Sequence, residues 1–146
     1  DDGSGIDEEL YVRWLEASVL CPMVQFSISP KRVLSPENFK RVMALVSLRE
    51  RYAERIIELA ENASHTGEPI IRYMEYEFPN EGMEKITDQF MLGSNILVAP
   101  VIKKGATKKS VVLPKGKWKM GDKVFNGGCT VEVDALLGTL PIFERV

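Results

Sequence analysis

The sequence predicts an α+β chain, and three observations carry that prediction. Up to His65 the apolar residues recur mostly at helical spacing. Beyond Glu68 they gather into short, often β-branched runs separated by Gly and Pro. The two styles meet at Thr66-Gly67-Glu68-Pro69, a turn-forming stretch that we take as the boundary between 1–66 and 67–146.

The first helix is expected from about Asp7 to Leu20. Ile6, Leu10, Trp14, Ala17 and Cys21 fall three or four residues apart and make one apolar stripe. Asp7, Glu8 and Glu9 place negative charge in the first turn, where the helix dipole favours it, and Pro22 stops the helix. Met23 to Ile28 is short, apolar and bounded by prolines, and reads as a strand. Ser35 then serves as N-cap with Pro36 at the first helical position. Phe39, Val42, Met43, Val46, Tyr52, Ala53, Ile56, Ile57, Ala60 and Ala63 mark the face that follows, in one helix or in two broken near Ser47. Gly67 is the expected left-handed cap. Helix–strand–helix is half of an α/β repeat, and it leaves a parallel strand without neighbours.

In the second half, Ile70 to Phe78 reads as a strand closed by Pro79-Asn80. Thr87 to Leu92 reads as a helical or turn-like piece ending at Gly93. Asn95 to Ile102 is a buried strand. Ser110–Leu113, Trp118–Met120, Lys123–Phe125, Thr130–Val133 and Pro141–Val146 are further short strands, with turns at Gly121-Asp122 and Asn126-Gly127-Gly128. Many short strands at close spacing predict an antiparallel β-sandwich.

Composition narrows the function. The 146 residues carry 19 basic against 21 acidic side chains, so no broad positive field favours nucleic acid. No apolar run approaches the ~20 residues of a membrane span. The acidic, Gly/Ser-containing start Asp1-Asp2-Gly3-Ser4-Gly5 is unlike a signal peptide. Two distant cysteines, Cys21 and Cys129, are too few for a disulfide scaffold; buried thiols in a reducing, cytoplasmic setting are expected.

Chemistry is sparse. One histidine and two separated cysteines make no metal-ligand cluster, and neither a metal nor another cofactor is expected. His65 reads as an exposed helix-end residue. No Gly-x-Ser-x-Gly and no phosphate loop is present. Lys103, Lys104, Lys108 and Lys109 read as solvating a hairpin loop and guarding a sheet edge. Tyr73 and Trp118 are candidates to stack a sugar ring, against the commoner role of core aromatics. The carboxylates Asp1, Asp2, Glu75, Glu77, Asp88 and Asp122 lie near strand or loop ends. A retaining glycosidase needs two carboxyl groups about 5–5.5 Å apart, and spacing alone brings no two of these together. Glu75 and Glu77 read as the solvent face of a strand.

Three collinear runs resemble glycoside hydrolase family 31, the α-glucosidase and α-xylosidase family. Asp7 to Leu15 resembles its E-L-x-x-R-W-x-Q helix after the seventh barrel strand. Thr66 to Arg72 resembles the x-G-x-P-V-x-R entry to its next domain. Asp88 to Val101 is nearly its D-D-Q-F-M-L-G-x-x-L-L-V-A-P-V. Gly105-Ala106-Thr107, Leu113 to Trp118 and Leu140 to Phe143 follow in the family's order.

The resemblance implies that residues 1–66 are the last βα units of a (β/α)8 catalytic barrel, a helix–strand–helix remnant. Residues 67–146 would be the proximal C-terminal β-sandwich. It implies a parent that hydrolyses α-linked glycosides with retention, and it puts both catalytic aspartates before Asp1. No catalytic residue is then expected in this chain, and no turnover by the chain alone. Gln25 and Ser27, at the end of barrel strand eight, are the candidate substrate-binding residues, since barrel sites lie at that end. Arg13, Trp14, Asp88, Gln89 and Phe90 are assigned to structure, with Asp88 and Gln89 bracing a turn.

Two departures stand out. The family's eighth strand ends in Arg-Asn-His, and Pro22 to Ser27 holds no histidine. Gln25 to Ile28 is closer to the subgroup of the myogenesis-regulating glycosidase and its bacterial relatives, so the sugar is left open. The strand-seven motif Asp-Ile-Gly-Gly-Phe is matched poorly by Asp2 to Gly5, which is either a remnant of it or an artificial joint, and the Gly/Ser composition favours the joint. With six barrel strands missing, the stripe of Leu10, Trp14 and Ala17 needs another partner, and self-association of the chain is expected. The rival readings are a carbohydrate-binding module stacking sugar on Tyr73, Trp118 or Phe125, and a support domain without chemistry.

Overall fold

A computed structural model describes residues 5–146. The acidic start at residues 1–4, with Asp1, Asp2 and most of the suspected joint, lies outside the described residues.

Helix α1 spans Glu8–Ser18, with the Asp7 carboxylate accepting from the Leu10 N–H as N-cap. After a short α2 (Pro30–Val33), α3 runs unbroken over Pro36–Thr66, with no break at Ser47. Its ends are those the capping residues predict. Ser35 Oγ accepts from the Asn38 N–H, and Gly67 closes the helix at φ +76°. The strands are β1 (Ile71–Arg72), β2 (Phe90–Leu92), β3 (Ile96–Val98), β4 (Lys108–Leu113), β5 (Lys117–Met120), β6 (Lys123–Asn126), β7 (Cys129–Asp134) and β8 (Ile142–Arg145). All described pairings are antiparallel, in a six-stranded sheet β1-β2-β3-β8-β5-β6 and a two-stranded sheet β4-β7.

The fold has three layers because the six-stranded sheet is buried on both faces. Leu92, Ile96 and Val98 pack with Val12, Leu15, Val42, Leu45, Ile56 and Leu59 of α1 and α3. The alternate residues Met91, Leu97 and Phe143 pack with Trp118 and with Val111, Leu113 and Val133 of the smaller sheet. Two-sided burial explains why the run around β3 lacks alternation, although the strand is only Ile96–Val98, shorter than the expected Asn95 to Ile102, whose two end residues are exposed. It also explains why Thr87 to Leu92, expected as helix or turn, is a strand from Phe90. Its Phe-Met-Leu run pairs in register with Val98, Leu97 and Ile96, leaving no polar face.

Five other expectations are corrected. Ile70 to Phe78 is a two-residue strand followed by one helical turn, α4 (Met74–Glu77). The turn brings Met74 and Phe78, four residues apart, into the same core, while Tyr76 faces solvent. Glu77 therefore leaves the strand face and pairs with Arg72 at 2.7 Å. Met23 to Ile28 makes no ladder and bends at Ser27 and Ile28, so it is not a strand among the described residues. The stripe read from α1 is its exposed face: Leu10 is 65% and Trp14 47% exposed. The buried side is Val12, Arg13, Leu15 and Glu16. Finally, Lys109 is buried against Asp88 instead of solvating a loop. On α3, Met43 and Ile57 are exposed, and Leu45 and Leu59 take the core positions.

Candidate functional site

The polar side of α1 is fastened to the β-domain. Arg13 donates to Glu16 at 2.7 Å, to the Ala106 carbonyl at 2.7 Å and to the Ala135 carbonyl at 3.1 Å. Glu16, fully buried, also accepts from the Gly138 N–H at 2.6 Å. Burial pushes the Glu16 carboxyl above its ordinary value, against the pull of Arg13 and the Gly138 N–H. At the helix start, the Gly105 N–H donates to Glu9 and Lys104 pairs with Asp7, both at 2.5 Å. Glu8 turns the other way and accepts from the Ser35 N–H, the Ser35 hydroxyl and the Asn38 amide. These donors hold its carboxyl below the ordinary carboxylate range.

The segment after α1 is held at both ends. Arg49 on α3 donates to the carbonyls of Val19, Cys21 and Pro22 at 2.7, 2.6 and 2.8 Å. The Tyr11 hydroxyl donates to the Ile28 carbonyl at 2.6 Å, and the Tyr11 ring stacks with Phe26. Between these anchors Val24 and Phe26 join the helical core, while Met23, Gln25 and Ser27 face outward. That is strand-like alternation without a partner strand among the described residues. Ser27 lines a groove of about 390 Å³ with Ile6, Leu10, Trp14 and Phe26; Gln25 stands exposed outside it. The stripe continues through Ala17 and Cys21 into a second groove of about 480 Å³, lined also by Ile71, Tyr73, Asp88 and Ile102.

The remaining candidates fall into place individually. Trp118 is fully buried and donates from Nε1 to the Pro114 carbonyl at 2.8 Å. Phe125 packs edge-on against Phe143. Neither offers a platform for sugar. Tyr73, expected in the core, is 79% exposed. Gln89 pairs with Val112 as a strand would, donating from Nε2 to its carbonyl at 2.8 Å and accepting its N–H at 3.0 Å. With Asp88 on Lys109, this fastens β2 to the smaller sheet. His65 is exposed at the end of α3. Cys129 is exposed, contrary to expectation, and Cys21 is half-buried with its thiol pushed up by burial. Among the described residues no group of three or more His, Cys, Asp or Glu is placed to hold a metal. No described helix is long and apolar enough to cross a membrane. Sequence reasoning did not find Arg49 or Glu16; each looks like an ordinary surface charge until its partners, about 30 and 122 residues away, are seen.

The model of the glycosyl hydrolase family 31 C-terminal domain matches residues 67–146, more than half of the chain. The chain belongs to glycosyl hydrolase family 31. It is 39% identical over 120 residues to the myogenesis-regulating glycosidase of Mus musculus, covering 81% of this chain and 17% of that protein. It is 29% identical over 146 residues to alpha-glucosidase 2 of Bacillus thermoamyloliquefaciens, covering 94% and 19%. A family 31 dextranase of Flavobacterium johnsoniae, solved with isomaltotriose, superposes with a TM-score of 0.86 at 32% identity, over 94% of this chain and 18% of that one. The chain thus spans less than a fifth of the length of these family 31 relatives, and the likeness includes the helical segment as well as the β-domain.

Proposed function

We propose that this chain is the C-terminal portion of a retaining α-glycosidase that hydrolyses O-glycosyl bonds of α-linked oligosaccharides. Residues 1–66 supply the last βα units of its catalytic barrel and residues 67–146 its proximal β-domain. The nucleophile and the acid/base are aspartates of the parent upstream of this chain. In such a mechanism one carboxylate attacks the anomeric carbon while the other protonates the departing oxygen; water then releases the glycosyl-enzyme. Gln25 and Ser27 contact the sugar from the end of strand eight.

The observation that carries this reading is the segment Met23 to Ile28. From Met23 to Ser27 it alternates outward and inward and joins no ladder among the described residues, beside the exposed stripe of Ile6, Leu10 and Trp14. Those features fit a barrel strand and helix awaiting their neighbours. The relatives with that extra length carry glycosidase names. Left uncovered, the same face makes the isolated chain self-associate. Two free cysteines, one exposed, fit a reducing, cytoplasmic setting.

The test is hydrolysis of a panel of aryl α-glycosides by this chain and by the protein with its upstream barrel. Turnover only by the longer protein is expected. Turnover by the 146-residue chain alone would overturn the assignment of the missing carboxylates.

A further inference from the structure

We propose that Arg49 is a positioning residue, whose guanidinium gathers the carbonyls of Val19, Cys21 and Pro22 and thereby sets where Gln25 and Ser27 stand. This rests on the reading above that those two residues face substrate.

The argument begins with how little else holds the segment. Pro22 has no N–H, and the backbone from Met23 to Ser27 joins no ladder. Its path is defined by Val24 and Phe26 in the helical core, by Tyr11 at its far end and by Arg49 at its near end. Arg49 spends both terminal nitrogens on carbonyls: Nη1 on Val19 and Cys21, Nη2 on Pro22. Its partners among the described residues are all carbonyls. That suits the C-terminal end of α1, where carbonyls lack helical partners and carry partial negative charge. A planar fork with fixed N–H directions defines the relative positions of three oxygens; an ammonium, a point charge on a flexible stem, does not. The fork itself stands on α3, one turn beyond the buried Leu45 and next to Leu48 in the core, so it has a rigid base. Displacing the turn at 19–22 moves the start of the segment. Its side chains then reach the substrate side displaced, without any change at Gln25 or Ser27.

Two measurements test this. In the 146-residue chain, alkylation of Cys21, whose own carbonyl Arg49 holds, is followed with exposed Cys129 as internal reference. Arg49→Lys keeps the charge and loses the fork, and at least a fivefold faster reaction at Cys21 with Cys129 unchanged is expected. An unchanged ratio overturns the proposal. In the complete enzyme, kcat/KM is compared for an aryl α-glucoside and an aryl α-xyloside. Arg49→Lys is expected to shift their ratio at least threefold, in the same direction as Gln25→Ala or Ser27→Ala. The double variant with Gln25→Ala should go no further than the larger single effect. If Gln25→Ala or Ser27→Ala moves the ratio and Arg49→Lys lowers both values equally, Arg49 is only structural. If neither Gln25→Ala nor Ser27→Ala moves it, the substrate-facing assignment itself falls, and positioning falls with it. The thiol measurement still separates the two failures.

Discussion

The two tryptophans show how differently the two halves are finished. Trp118 lies fully buried between the sheets, its indole N–H satisfied and Phe78 edge-on to its ring. Trp14 lies on α1 with nearly half its surface in solvent, in line with Leu10 and Ile6. The β-domain closes its own core; the helical half closes only the side that touches the β-domain. Amphipathic patterning reports that a face wants cover, and it does not report whether the cover is present.

The sharpest test of that contrast is paired truncation. Trp118→Ala should cost about 3–5 kcal/mol, the range for large aromatic truncation in a packed core. Trp14→Ala should stay within about 0.5 kcal/mol in this chain, as for exposed sites. Urea unfolding of the two variants measures both. In the complete protein Trp14→Ala should become costly; if it stays neutral there, the outer stripe is not a barrel interface.

Next in size is the joint between the halves. Glu16→Ala strands Arg13 in the interface and leaves the Gly138 N–H without its acceptor. Breaking a buried pair in this way should cost about 3 kcal/mol. Arg13→Met with Glu16→Leu removes both charges and should cost clearly less than Glu16→Ala. A double variant as damaged as the single one would show that the hydrogen bonds to Ala106, Ala135 and Gly138 matter more than the pair.

A smaller effect belongs to Tyr52, whose hydroxyl donates to Glu144 at 3.0 Å and whose pKa burial and that carboxylate push up to about 12. Tyr52→Phe should cost about 1 kcal/mol by loss of one hydrogen bond between α3 and the sheet, read by thermal unfolding. The change should be independent of pH between 6 and 9 because the phenol remains protonated there.

Acid should loosen the helical half before the β-domain. The Glu8 carboxyl titrates below its ordinary 4.5, so its contribution is fully present above that pH. That contribution is lost as pH falls through the depressed value. Glu16 has the opposite sign, since burial raises its pKa and the folded state takes up its proton more readily. Glu8→Gln should therefore flatten the fall in melting temperature below pH 4.5, and an unaltered fall would remove Glu8 from the account. The smallest expected change in stability comes from Leu10→Lys with Trp14→Glu, which should leave the monomer's unfolding unchanged while abolishing concentration-dependent association in sedimentation.

Much of the fold is legible in local chemistry. Ser35-Pro36 and Gly67 bracket a 31-residue helix because capping is settled within a few residues of the chain. The hairpin turn after Met120 is likewise local, whereas the expected hairpin turn at Asn126-Gly127-Gly128 is a crossover from the six-stranded sheet to the smaller one, held by the Gly127 and Gly128 N–H groups on the carbonyls of Gly116 and Leu113. The family is legible in the run from Asp88 to Val101, and the structure explains that run. Gln89 must span to Val112 and Asp88 to Lys109, while Phe90 to Leu92 fills two cores at once. Gln25 and Ser27 were nameable only through the resemblance, since an exposed amide and hydroxyl have no signature of their own.

Tertiary structure decided the rest. Which side of α1 faces inward was settled by Arg13 and Glu16, charged residues that binary patterning assigns to solvent. Their burial depends on acceptors and donors some 93 to 122 residues away, which no local window contains. The turn at Met74 to Glu77 was settled by the need to place Met74 and Phe78 in one core, over a strand reading of equal local merit. Met23 to Ser27 has the alternation of a strand and joins no ladder among the described residues, because a strand is a relation between segments and pattern supplies only one of them.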